Sequence, residues 1–151
     1  MFRGTVCSIH LAARPGEPTF AVDEVRAIPG QGLVGHRNNN EAGAPPGKQI
    51  TLVEREALEA LSRDYGVRFQ PGDSRRNLET NGVPLNHLVG REFRVGEVRL
   101  RGIKLCEPCQ HLASLTHDRA LPSLVHRGGL RAEILSAGLI RVGDAVEEIP
   151  S

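Results

Sequence analysis

The sequence predicts a mainly β, β-rich α+β fold: a closed or partly open barrel of mostly antiparallel strands, with two to three short helices packed outside it. Three observations carry this. Short runs of strand character recur along the whole chain. Seventeen glycines and ten prolines punctuate them, as tight turns require. Only a few stretches show the spacing of a helix. At 151 residues the chain reads as one domain, 1–151, large enough for a hydrophobic core.

Gly4 to Leu11, holding Val6 and Ile9, reads as the first strand. Cys7 within it reads as a small buried hydrophobe. Arg14-Pro15-Gly16-Glu17-Pro18 is a loop, and Val22 to Ile28 reads as one strand ended by Pro29-Gly30. Gly30-Gln31-Gly32-Leu33-Val34-Gly35-His36-Arg37 is glycine-rich, but no helix follows it, so it is a weak phosphate-loop signal. Asn38 to Gly47 continues as a long polar loop.

Gln49 to Val53 is a short apolar strand. Glu54 to Tyr65 reads as a helix: Ala57, Leu58 and Leu61 lie on one face, acids open it and Gly66 stops it. Gln70-Pro71-Gly72-Asp73 is a turn. Ser74 to Thr80 reads as a solvated edge, although Arg75 and Arg76 together have the chemistry to grip an anion. Pro84 to Val89 reads as one helical turn. Glu92–Val95 and Val98–Leu100 flank Gly96-Glu97 as a hairpin. The apolar phase then slips between Leu100 and Ile103, which predicts a β-bulge or bend at Gly102.

Pro108 to Asp118 and Ala120 to Arg127 read as helical stretches, stopped by Gly128-Gly129. Leu130, Ala132 and Ile134 alternate as a strand. Leu139 to Val142 is expected to pair back on it, and Ala145 to Ile149 to close the sheet. Arg94-Val95-Gly96-Glu97 and Arg141-Val142-Gly143-Asp144 look like one turn used in two similar hairpins.

A formal charge of +1 gives no general pull towards nucleic acid or membrane. One Tyr, four Phe and no Trp leave few platforms for stacking bases. No apolar run is long enough to span a bilayer, and Met1 to Val6 is too polar for a signal peptide. The expectation is a cytoplasmic protein with free thiols, since three cysteines make no disulfide framework.

Lys104-Leu105-Cys106-Glu107-Pro108-Cys109-Gln110-His111 is the candidate site. A strand runs into it and a helix is expected to leave it. Proline suits a first helical turn. Cys109 then meets free N–H groups and the positive end of the helix dipole, which favour a thiolate. Three chemistries fit: a C-x-x-C redox pair, a zinc site using Cys106, Cys109, His111 and His117, or a single Cys109 thiolate that carries sulfur or ligates a soft metal. Two buried structural cysteines are the alternative to all three. Arg75, Arg76, Lys104, Arg127 and Arg131 fall at turns or strand ends; together they would make an anion site that also stabilises a thiolate. His36 and His126 are further candidates.

Several pieces, in order, resemble the MOSC domain family, named for the C-terminal domain of molybdenum cofactor sulfurases. They are Gly30 to Gly35, Gly72 to Leu78, Gly82 to Gly90, Phe93 to Val98, Cys106-Glu107-Pro108-Cys109, and Gly129 to Ile134 through Gly138 to Asp144. The resemblance implies a β-barrel and a working cysteine, Cys109, which in family members ligates molybdenum or is proposed to carry sulfur. Relatives include the mitochondrial amidoxime reducing component and bacterial proteins conferring resistance to N-hydroxylated bases. On this resemblance the chain would bind molybdenum cofactor or carry sulfane sulfur, as a molybdenum-dependent oxidoreductase or a sulfurtransferase-like protein. Arg75, Arg76, Lys104, Arg127 and Arg131 would hold the cofactor or substrate anion, and Asn77 would be a polar contact. A separate electron-donor or sulfur-donor protein and a small-molecule substrate are implied. Pyridoxal phosphate, linked to the family through sulfurases that carry it in another domain, is not expected to bind here. The sequence departs from the family pattern at Val34, His36 and Arg37, and at Arg76 in the Arg76-Asn77-Leu78 piece.

Overall fold

The computed structural model describes residues 2–66, 70, 72–106 and 128–150. Along the chain come β1 (Arg3–Leu11), β2 (Phe20–Val22), β3 (Glu24–Ile28), β4 (Gly32–Leu33), a 3-10 turn (Pro46–Lys48), β5 (Ile50–Glu54) and α1 (Arg55–Tyr65). Then follow β6 (Leu78–Asn81), a second 3-10 turn (Leu85–Leu88), β7 (Glu92–Val95), β8 (Val98–Leu105), β9 (Leu130–Ile134), β10 (Gly138–Arg141) and β11 (Ala145–Glu148). The two helical stretches expected between Pro108 and Arg127 lie outside the described residues.

The strands β11-β7-β8-β9-β5-β6-β1 are hydrogen-bonded in that order, and β11 pairs with β1 to close a seven-stranded barrel; β2 extends the sheet beyond β1. Among the described strands only β5 and β6 run parallel. The expected mostly antiparallel barrel is therefore the fold. Its core is filled from alternate positions: Val6 and Ile9 of β1, Ile50 and Leu52 of β5, Phe93 and Val95 of β7, Val98 and Leu100 of β8, Leu130, Ala132 and Ile134 of β9. Burying each of these side chains larger than alanine is worth about 1.5–3 kcal/mol.

Two bulges re-aim the strands that matter. The β1–β6 register shifts between Val6 and Ser8, so Val6 and Ile9 both face the core. Cys7, at the bulge, is half-buried rather than buried. The β8–β9 register shifts between Gly102 and Lys104, as the phase slip predicts. A Cβ on Gly102 would stand 2.0 Å from the Leu88 carbonyl oxygen; the second 3-10 turn lies directly against β8 there.

α1 shows the logic of its sequence. It buries Ala57, Leu58 and Leu61 on the outside of β5 and β6. Gly66, at φ 68°, ends it with an N–H donated to the Ser62 carbonyl at 3.1 Å, the left-handed stop that glycine makes cheaply.

Other expectations need correction. Val22 to Ile28 is not one strand: β2 pairs with β1, whereas β3 joins β10 and β4 in a separate sheet. Leu139 to Val142 does not pair back on β9; β10 pairs with β3, Ile140 opposite Val25. So the repeated turn does not make a second hairpin. The two turns instead pack on each other, where a Cβ on Gly96 would meet the Asp144 carboxylate at 2.4 Å. Ser74 to Thr80 is no solvated edge, for β6 lies between β1 and β5 and Leu78, Glu79 and Thr80 are all buried.

Candidate functional site

Leu130, Ala132 and Ile134 of β9 face the core, so Arg131 points to the opposite face of the sheet. Lys104 of β8 is its cross-strand partner on one side and Thr51 of β5 on the other. Asn77 continues the line. Its Oδ1 accepts from the Thr51 N–H at 3.0 Å and the Thr51 hydroxyl at 3.2 Å, and its Nδ2 donates to the His10 carbonyl at 3.1 Å. Lys104, Arg131, Thr51 and Asn77 thus form a row across β8, β9, β5 and the start of β6. The 3-10 turn at Pro46–Lys48 covers part of it: Arg131 donates from Nη1 to the Gly47 carbonyl at 3.0 Å. Lys104 is exposed and makes no ion pair among the described residues.

The strand ends beside this row are also tied. Cys106, 1% exposed, donates its N–H to the Gly129 carbonyl at 2.7 Å. Arg76, 8% exposed, donates from Nε to the Gly128 carbonyl at 2.8 Å. Gly129 sits at φ 115°, and a Cβ there would lie 2.2 Å from the Leu52 carbonyl oxygen. Only glycine permits that approach. The chain that leaves β8 after Cys106 therefore returns beside the same point, next to Arg76. Cys109 and Arg127, with His111, His117 and His126, lie outside the described residues.

Arg75 is held differently. It is a non-glycine residue at φ 61°, a conformation costing roughly 1–2 kcal/mol. Its Nη1 donates to the Glu17 carbonyl at 2.6 Å, which fixes it against the β1–β2 loop. The turn before it is clamped at Gly72: Glu79 Oε2 accepts the Gly72 N–H at 2.9 Å, and the Thr19 hydroxyl donates to the Gly72 carbonyl at 3.1 Å. Glu79 also meets Arg55 at 3.4 Å and His10 Nε2 at 3.6 Å, while His10 Nε2 lies 2.8 Å from the Ser8 hydroxyl. Burial lowers the His10 pKa, against the pull of Glu79. Burial likewise raises that of the Cys7 thiol, which lies on β1 at the Val6–Ser8 bulge and outside the row.

The structure thus aligns Asn77, Lys104 and Arg131, ties Arg76 to the strand ends, and turns Arg75 towards the β1–β2 loop. Thr51, Gly47, Glu79 and His10 were missed by sequence reasoning. Thr51 gave one signal, a polar residue inside an apolar strand; Glu79 gave none.

A MOSC domain family model matches residues 38–147, which span the row, the strand ends and the Cys106-to-Cys109 stretch. The chain belongs to the MOSC domain family. No curated protein matches it. Among solved structures, this MOSC domain is similar to the YuaD protein of Bacillus subtilis, with TM-score 0.81 and 16% identity over 97% of each chain. It is also similar to YiiM of Geobacillus stearothermophilus, with TM-score 0.73 and 17% identity over 97% of this chain and 75% of that one. YiiM of Escherichia coli gives TM-score 0.68 and 19% identity over 100% and 71%. At these identities the likeness is one of fold. Among the described residues no group of three or more His, Cys, Asp or Glu is placed to hold a metal ion, and no helix is long and apolar enough to cross a membrane.

Proposed function

We propose that this MOSC domain works through the Cys109 thiolate, which ligates the molybdenum of a pterin cofactor or carries sulfane sulfur. The observation that supports this most is the pair of bonds from Cys106 to Gly129 and from Arg76 to Gly128. They bring both flanks of the 107–127 stretch to one place beside the cation row. Backbone length alone keeps Cys109 within about 11 Å of Cys106, three residues away.

The described side chains fit an anionic cofactor in charge and in donors. Arg131 spends Nη1 on Gly47 and keeps other N–H groups for a phosphate, which guanidinium suits. The Lys104 ammonium beside it adds a second charge. In this reading Arg131, Lys104 and Arg127 hold the anion, and Arg76 fixes the strand end. Asn77 ties β5 to β1 beneath them, and Arg75 borders the substrate side. Bound there, molybdenum would supply two-electron removal of oxygen from an N-hydroxylated substrate. A separate protein donates the electrons, or the sulfur if the domain is a carrier. Cys106, the first sulfur of the C-x-x-C, is buried, which does not suit the exposed attacking thiol that a C-x-x-C oxidoreductase needs.

The test is elemental and mass analysis of protein from a host that makes molybdenum cofactor, beside Cys109→Ala. Molybdenum near one per chain, or a persulfide on Cys109, is expected in the wild type and absent from the variant. Neither species in the wild type, or either one retained in Cys109→Ala, would contradict the proposal.

A further inference from the structure

The outer face of β7 and β8, beside the end of β11, carries a cleft that the Cys109 reading does not use. Its volume is about 350 Å³, and Arg91, Glu92, Arg99, Arg101, Glu148 and Ile149 are among the residues that line it. The strands put them there. Val98 and Leu100 fill the core, so Arg99 and Arg101 stand together on the outer face of β8, opposite Arg94 and Glu92 of β7. Ile149 N–H donates to the Glu92 carbonyl at 3.3 Å, which brings the stretch after β11 alongside as a further wall.

The charged groups are layered. The Glu92 and Glu148 side chains are 33% and 25% exposed, those of Arg91, Arg99 and Arg101 65%, 51% and 45%, so the carboxylates lie deeper and the guanidiniums form the rim. Arg91 Nη1 donates to Glu148 at 3.2 Å, and Arg99 Nη2 to Glu92 at 2.7 Å. Arg101 shares Glu92 at 3.3 Å and meets Glu133 of β9, outside the cleft, at 3.6 Å. The other guanidinium N–H groups of Arg91 and Arg99 have no acceptor among the described residues. Three guanidiniums thus face two carboxylates in the cleft, an excess of one positive charge. Arg94 adds to it as the cross-strand partner of Arg99, since like charges directly opposite repel. Its other cross-strand neighbour, Glu147, pairs with Arg3 at 3.7 Å. Half-exposed ion pairs are weak, so an incoming anion recruits these guanidiniums at little cost.

We propose that this cleft binds a small phosphate-bearing ligand, held by the free N–H groups of Arg91 and Arg99 with Arg101 beside them. Phosphate suits it better than carboxylate. The forks come from β8 and from the residue before β7, and a tetrahedral group with three oxygens meets both, whereas a planar carboxylate meets one. Arg99 and Arg101, two residues apart on one strand, are separated by about 7 Å, within the reach of a diphosphate. The site stands on β7, β8 and β11 alone, so it holds or fails independently of Cys109.

Pyrophosphate is titrated into the full chain, with sodium chloride at matched ionic strength as the reference and backbone amides followed by nitrogen-edited NMR. Saturable shifts at Arg91, Glu92, Arg99 and Arg101 are expected. Arg99→Gln should weaken binding about tenfold, and a half-exposed side chain changes without loss of the fold. Glu92→Gln removes a carboxylate that competes for two of the guanidiniums, so it should tighten binding about two- to fivefold. Lys104→Gln should leave it unchanged. Shifts that do not saturate, or that chloride reproduces, would mean an adventitious ion only and would overturn the site. So would binding that is indifferent to Arg99→Gln, weakened by Glu92→Gln, or lost in Lys104→Gln, which would move the anion to the β8–β9 row.

Discussion

β6 and β7 are both four-residue strands of the same barrel, and both carry charge, yet they do opposite things with it. On β7, Glu92-Phe93-Arg94-Val95 alternates: Phe93 and Val95 face the core, and Glu92 reaches Arg99 at 2.7 Å and Arg101 at 3.3 Å on a half-exposed surface. On β6 the polar side chains are inside. Glu79 is 3% exposed and Thr80 fully buried, and the Thr80 hydroxyl donates to the Val53 carbonyl at 3.3 Å. The β7 pairs are screened by water and salt. The β6 groups, with Asn77 before them, are joints between strands, where a lost partner leaves a buried group unsatisfied. The same residue types are surface dressing on one strand and framework on its counterpart, and position in the sheet decides which.

Asn77→Ala presses hardest on that contrast. It strands the Thr51 N–H and the His10 carbonyl together, so denaturant unfolding should show a loss of about 2–4 kcal/mol. A loss under about 0.5 kcal/mol would mean the joint is no joint. A second, smaller effect should appear with pH. His10 and His36 both have folded-state pKa values below the ordinary 6.5, that of His36 at about 4. Below pH 6.5 the unfolded chain takes up protons that the folded chain refuses, so stability is full above that pH and falls as acid is added towards pH 4. His36→Gln should flatten part of the decline; stability that rises over this range would contradict the burial of both rings. Smallest of all is Glu92→Gln, which removes one carboxylate shared by two arginines. It should cost less than about 0.5 kcal/mol, and less again in high salt. A loss as large as that of Asn77→Ala would erase the difference between the strands.

The same contrast sets what was legible in the sequence. β7, β8 and α1 announce themselves because one face is apolar and the other wet. The bulge beyond Gly102 was legible as a broken alternation. β6 was not, because its buried Glu79 and Thr80 are satisfied by Gly72, Arg55 and Val53, contacts that no local pattern encodes. Nor was the split at Asp23, since β3 pairs with β10 more than a hundred residues later. At the site, Lys104 and Arg131 stood out as cations at strand ends. Their alignment through Thr51 to Asn77 depends on register across four strands, one of them shifted by a bulge, and register is set by the packed barrel. The role proposed for Cys109 rests on its motif, Cys106-Glu107-Pro108-Cys109, and on the family to which the chain belongs.

If Cys109 alone of the three cysteines does the chemistry, brief alkylation of the native protein at pH 7 will single it out. Labelling is read cysteine by cysteine in peptide mass spectra. Cys109 should label first, at least tenfold faster than Cys106, which is buried, and Cys7, whose thiol burial holds in the protonated form. If Cys109 stays unlabelled until the protein is denatured, or Cys7 or Cys106 labels ahead of it, the assignment of function to Cys109 is wrong.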